Sequence, residues 1–162
     1  METMTQEDKD LLLKDICARL NTNLVCSIYR TDDYGVGYRD EILHGYCKGD
    51  IWYEFYFGED CGVGMDNVSK IKPYLFPLSS MTEEQEKELI TITDGKFRYM
   101  WGDITNAIPR KNISEWGTSQ NAFIDGIKVI NILYTWLLKN HFDINGLIPL
   151  GLAIDATGLN IY

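Results

Sequence analysis

The sequence predicts an α+β domain. A small, strongly bent antiparallel sheet or SH3-like barrel is flanked by an N-terminal helix and a helical C-terminal half. Three observations predict this. Leu12, Ile16 and Leu20 form an apolar stripe at helical spacing near the start of the chain. From residue 23 the apolar period falls to two, and short runs are divided by Gly/Asp turns, the pattern of a small curled sheet. Between Ser119 and Asn140 the period returns to helical, with apolar residues almost all the way round. The expected organisation is one domain over 1–162, with a helix over 1–22, the sheet over 23–72 and a mainly helical part over 80–162. An irregular insertion falls near 94–117.

In the first helix, Thr5 and Asp8 have the spacing of a capping box, with Leu13 and Cys17 beside the apolar stripe, and Asn21 and Asn23 end it. Leu24, Cys26 and Ile28 alternate with Val25, Ser27 and Tyr29 as a first strand, and Thr31 to Gly37 reads as a turn. A second strand runs from Tyr38 to Cys47 with Ile42, His44 and Tyr46 on one face, and a third from Ile51 to Phe57. A short strand is expected near Val68 to Ile71, after which Pro73 and Pro77 stiffen the exit. Ser80 with Glu83 suggests a second capping box, opening a helix that ends near Thr93. In the long helix Phe123, Ile127, Ile130, Tyr134, Leu137 and Leu138 mark one side, and His141 is placed to cap its last carbonyls. So much apolar surface makes this helix central to the fold or part of a homodimer interface.

The chain of 162 residues is long enough to bury a core without metal or disulfide staples. Apolar residues at 45% and charged residues at 24% exclude wholesale disorder. The net charge is −9, and residues 23–66 hold only Arg30, Arg39 and Lys48 against nine acids. Duplex binding draws its affinity from clustered Lys and Arg on phosphates, so this balance disfavours direct contact with nucleic acid or an anionic membrane. The start METMTQEDKDLLLKD has no basic region before an apolar run, and no stretch is long enough to span a bilayer. A cytoplasmic protein is expected, with Cys17, Cys26, Cys47 and Cys61 reduced and buried.

The chemistry-bearing motifs are thin. Gly35-x-Gly37 and Gly62-x-Gly64 lack the third glycine and the strand–helix setting of a phosphate loop, and read as hairpin turns. His44 and Cys47 stand at an odd separation in a strand and diverge, and no zinc-ligand spacing occurs. Asp143-Ile144-Asn145-Gly146 opens like a calcium loop, but Ile154 stands where the bidentate Glu would fall, leaving an Asn-Gly turn. The acid pairs Asp32-Asp33 and Glu59-Asp60 read as solvated loop carboxylates. No catalytic residue, metal or cofactor is assigned.

The aromatic third strand carries more information. Alternation sends Tyr53, Phe55 and Phe57 to one face, which reads as core, and Trp52, Glu54 and Tyr56 to the other. The second face is either covered by a flanking helix or is a contact surface, which Tyr34 and Tyr38 would extend.

Three segments, LLLKDICARL, IKPYLFPLSSMTEEQ at 71–85 and WLLKNHFDINGLIPLGLAIDAT at 136–157, resemble a group of uncharacterised small proteins. These are encoded in prophages, phages and mobile elements of gut anaerobes. The sheet region departs from any fixed pattern, Leu20-Asn21-Thr22-Asn23 replaces the family's Leu-Pro-Tyr-Gly, and 94–117 differs. The resemblance implies a genomic context and no catalytic residues. The expected function is that of a non-enzymatic, acidic accessory protein that binds a protein partner through Trp52, Glu54, Tyr56, Tyr34 and Tyr38. The alternative is a nucleotide-type binder, with aromatic rings stacking on a base and Arg30, Arg39 or Lys70 meeting phosphate. An enzyme ranks last.

Overall fold

The computed structural model describes residues 4–32, 35–48, 53–57, 61–93 and 120–162. They form two compact units, Met1–Pro77 with Leu138–Tyr162, and Leu78–Leu137. The expected insertion near 94–117 lies outside the described residues.

In the first unit, helix α1 (Gln6–Ala18) begins at the expected capping box: Asp8 N–H donates to Thr5 Oγ1 at 3.1 Å and Thr5 N–H to Asp8 Oδ2 at 3.2 Å. Two of the orphan amides of the first turn are thereby satisfied. Asn23, at φ 56, turns the chain towards strand β1 (Val25–Asp32). Asparagine is one of the few side chains that adopts this left-handed conformation readily.

Strand β1 pairs antiparallel with β2 (Gly35–Lys48) from Val25↔Ile42 to Asp32↔Gly35. The expected turn over Thr31 to Gly37 is therefore shorter, because Gly35 at φ 126 lets the ladder continue to the hairpin end. Strand β3 (Tyr53–Phe57), strand β4 (Cys61–Gly64), a 3₁₀ segment (Met65–Lys70), β5 (Ile71–Leu75) and the distant β6 (Ile154–Asp155) follow. Val68, expected in a strand, is instead buried within the 3₁₀ segment. Gly62 and Gly64 lie within β4, opposite Tyr56 and Glu54, and not in a turn.

The strand order is β4-β3-β2-β1-β5-β6. This corrects two expectations about the sheet. It is mixed, because β6 returns from the far end of the chain and joins β5 in parallel. It is also open: a barrel closes only when its edge strands bond each other, and here β6 occupies the free edge of β5. The α+β class holds.

One face of the sheet is the core. Leu24, Cys26 and Ile28, Leu43 of β2, Phe55 and Phe57 of β3, and Ile71 and Leu75 of β5 are all but inaccessible. Leu12 and Ile16 of α1 and Leu147, Leu152 and Ala153 of the tail join the same cluster. Each fully buried Leu, Ile or Phe side chain contributes about 1.5–3 kcal/mol. Cys26 is buried as expected, but Cys17 is exposed, because it falls one residue beyond Ile16 on the solvent side of α1.

The second unit contains a 3₁₀ turn (Leu78–Ser80), helix α2 (Glu83–Ile92) and helix α3 (Gln120–Lys139) as far as Leu137. The cap of α2 is Thr82 with Gln85, not Ser80 with Glu83. Ser80 already belongs to the 3₁₀ turn and cannot take the extended conformation that Thr82 adopts (φ −80, ψ 162). The buried stripe of α3 is Val129, Leu133, Trp136 and Leu137, while Ile127, Ile130 and Tyr134 of the expected stripe are 45%, 49% and 44% exposed. With apolar residues all round, sequence periodicity gives this helix no unique inward side. Among the described residues, no helix is long and apolar enough to cross a membrane.

Candidate functional site

The β1–β2 hairpin carries a solvent-facing stripe. Because Leu24, Cys26 and Ile28 point into the core, the residues between them point outward. The register places Val25 opposite Ile42, Ser27 opposite Asp40, Tyr29 opposite Tyr38 and Thr31 opposite Val36. Val36 is 71%, Tyr38 59% and Ile42 43% exposed, so three large apolar groups line one strand on its outward side. Tyr29 supports Tyr38 edge-on, their ring centroids 5.2 Å apart at 63°. This is the geometry favoured by the ring quadrupoles. Asp40, within the stripe, accepts a 3.0 Å hydrogen bond from the Tyr74 hydroxyl. Burial and the Asp40 carboxylate push the Tyr74 hydroxyl upward in pKa, keeping it a donor.

Of the aromatic patch expected from sequence, Tyr38 is on this stripe. Tyr34 and Trp52 lie outside the described residues. Glu54 and Tyr56 are placed by register opposite Cys47 and Gly45, and their side chains lie outside the described ones. Asp33, Glu59 and Asp60 also fall outside.

The expected face Ile42, His44, Tyr46 does not survive. Leu43 pairs with Phe57 and Gly45 with Tyr56, so His44 is an extra residue in β2. Such a bulge shifts the alternation by one beyond it. His44 is exposed.

The alternative ligand set divides. Arg30 and Arg39 follow Ile28 and its neighbours onto the inward side of β1 and β2, whereas Lys70 ends the 3₁₀ segment and is exposed. Arg30 Nη2 lies 3.0 Å from Glu41 Oε1, which balances its charge. Among the described residues, the buried Arg30 Nε and Nη2 make no hydrogen bond. Among the described residues, no three His, Cys, Asp or Glu side chains gather where they could hold a metal ion.

A second constellation, unforeseen in the sequence, is closed to solvent. Asp15 and Arg19 of α1 are fully buried and meet through two hydrogen bonds, Nε to Oδ2 at 2.7 Å and Nη2 to Oδ1 at 3.1 Å. Arg19 also donates to the Leu138 carbonyl at 3.2 Å and the Phe142 carbonyl at 2.7 Å. Asn145 Nδ2 donates to Asp15 Oδ1 at 2.7 Å. The end of α3 is thus capped by Arg19 and not by the His141 side chain, as sequence had suggested. His141 instead contributes its backbone at φ 60 and stacks its ring on Tyr162 at 3.9 Å and 7°. Burial and the nearby Arg19 hold its pKa down at about 4.

Asp143 closes the following turn by accepting from Leu147 N–H at 2.8 Å and Ile148 N–H at 2.9 Å, the Asn-Gly turn with Gly146 at φ 71. Every carboxylate oxygen of Asp15 and Asp143 is engaged, so this arrangement binds the tail to α1. A sequence signal did exist: Asp15 and Arg19 stand four apart, next to Ile16 and Leu20 of the buried stripe. No family model matches the chain, nor does any curated protein or solved structure.

Proposed function

We propose that this protein is a non-enzymatic, acidic accessory protein of phage or mobile-element origin that works in the cytoplasm by binding a protein partner. The partner docks on the outward side of the β1–β2 hairpin. The observation that carries this reading is the exposure of Val36, Tyr38 and Ile42 on one strand, with Tyr29 bracing Tyr38. Interfaces concentrate aromatic residues at their centres, and tyrosine supplies contact area with little rotamer entropy to lose. Large apolar groups aligned in this way mark a contact surface more often than a solvated one. The phage-type context comes from the segments at 11–20, 71–85 and 136–157.

The test is a photo-crosslinking residue placed at position 38 of the full chain in cells that carry the element. The expected product is a discrete conjugate whose protein component, purified separately, binds the wild-type chain and loses at least tenfold in affinity for Tyr38→Ala. Crosslinks spread over many unrelated proteins, or a purified partner indifferent to Tyr38→Ala, would overturn the reading.

A further inference from the structure

We propose that Asn145 is a self-modification site: when the tail lifts away from α1, the Gly146 backbone nitrogen converts its side-chain amide into a carboxylate, and the product keeps the tail from closing again. The proposal stands apart from the docking role of the hairpin. Of the ten asparagines in the chain, Asn145 alone precedes a glycine. Glycine has no Cβ to shield its nitrogen from the side chain before it. Among the described residues the Gly146 N–H makes no hydrogen bond, and a Cβ built on Gly146 would meet nothing within 4 Å. The nucleophile is thus free and the space beside it open. What the closed fold holds is the amide: Asn145 Nδ2 donates at 2.7 Å to Oδ1 of Asp15, whose side chain is fully buried.

The step is an acyl transfer within the chain. The Gly146 nitrogen attacks Asn145 Cγ and closes a five-membered imide as the Cγ–Nδ2 bond breaks. Its proton passes through solvent to the departing nitrogen, which leaves as ammonia. Water then opens either imide carbonyl, leaving aspartate or its β-linked isomer at position 145. The closed fold resists ring closure, because the amide must first give up its hydrogen bond to Asp15. Local opening of the tail removes that hold. After the step, position 145 carries a negative charge where Asp15 needs a donor. Arg19 offsets one carboxylate, and its remaining contacts are to the Leu138 and Phe142 carbonyls. A second carboxylate against a fully buried one is strongly disfavoured. The turn at Gly146 leads directly to Leu147, Leu152 and Ala153 of the core, so an open turn withholds them from the sheet. The reaction makes a reversible opening permanent.

The experiment incubates the full chain at neutral pH in buffer and in urea above its unfolding midpoint. Peptide mass spectrometry follows the mass gain of amide-to-acid conversion. In urea Asn145 should convert ahead of every other asparagine, and in buffer at least tenfold more slowly. On dilution from urea, converted chains should stay sensitive to protease while unconverted chains regain resistance. Urea unfolding then compares two variants. Asn145→Ala removes one hydrogen bond, whereas Asn145→Asp adds the charge that the reaction leaves, so its midpoint should be the lower. Conversion as fast in buffer as in urea would show that the closed fold holds nothing back. No preference for Asn145 in urea would dismiss Gly146 as the nucleophile. Equal recovery of converted and unconverted chains, or an Asn145→Asp midpoint at or above that of Asn145→Ala, would make the product harmless. Each of these results overturns the proposal.

Discussion

The Tyr162 hydroxyl donates a 2.7 Å hydrogen bond to the Tyr74 carbonyl oxygen and accepts a longer one, 3.4 Å, from the Val25 amide. In the β1–β5 ladder Cys26 stands opposite Pro73. Val25 and Tyr74 are therefore the next pair, and a side-chain hydroxyl bridges the two strands where their backbones part. Tyr162→Phe keeps the ring contacts with His141 and Phe76 and removes only this bridge. The expected loss is about 1 kcal/mol, since water reaches the half-exposed site and softens the penalty. Urea unfolding of the two chains measures it, and unchanged stability would show the bridge to be energetically idle.

The stack of Tyr162 on His141 has a pH consequence. His141 is held down at about 4 by burial and by Arg19, whereas an unfolded histidine titrates near 6.5. Between these values the unfolded chain binds more protons than the folded one, so stability falls as pH is lowered through this window and is fully present above it. The change His141→Asn keeps a residue that tolerates the left-handed backbone at φ 60. Urea midpoints at pH 7.5, 6 and 5 should decline more steeply in the wild type than in this variant. Parallel declines would assign the acid sensitivity to the carboxylates instead.

Asp15 and Arg19 form an ion pair with no access to water. Removing one member leaves the other charge buried, which costs about 3–5 kcal/mol. Asp15→Ala should therefore lose that much, close to the whole stability of a small domain. Asn145→Ala deletes a single hydrogen bond to the same carboxylate, and should lose about 1.5–3 kcal/mol. The ranking is read from denaturant unfolding, and equal losses would mean that the pair is hydrated in solution.

What could be read from sequence was what is local. The Thr5/Asp8 capping box, the alternation of β1 and the inward Phe55 and Phe57 depend on neighbours within a few positions, and the structure contains them. Readings failed where a distant residue or an extra one decides. The bulge at His44 breaks a count that assumes strict alternation. The strand β6 comes from some 80 residues beyond β5 and adds in parallel, which no periodicity near Ile71 announces. The Asp15–Arg19 spacing of four is local, but the other acceptors of Arg19 lie at Leu138 and Phe142, which no nearby pattern announces. Of the candidate site, Tyr38 could be named from its aromatic company. Val36 and Ile42 could not be, because their exposure depends on which side of β1 and β2 takes the core.

The acceptors of Arg19 bear on the order in which the protein comes into being. They are 119 and 123 residues further along the chain. During synthesis α1 and the first hairpin leave the ribosome long before the carbonyls of Leu138 and Phe142 exist. Until then Arg19 has no reason to surrender its water, and the inward side of the sheet lacks Leu147, Leu152 and Ala153. Contacts of such long range slow folding, since the intervening chain must be ordered before they repay it. The first unit is thus committed only after residue 142 has been made. A nascent chain stalled before residue 138 would present an open apolar sheet to the chaperones of the cell.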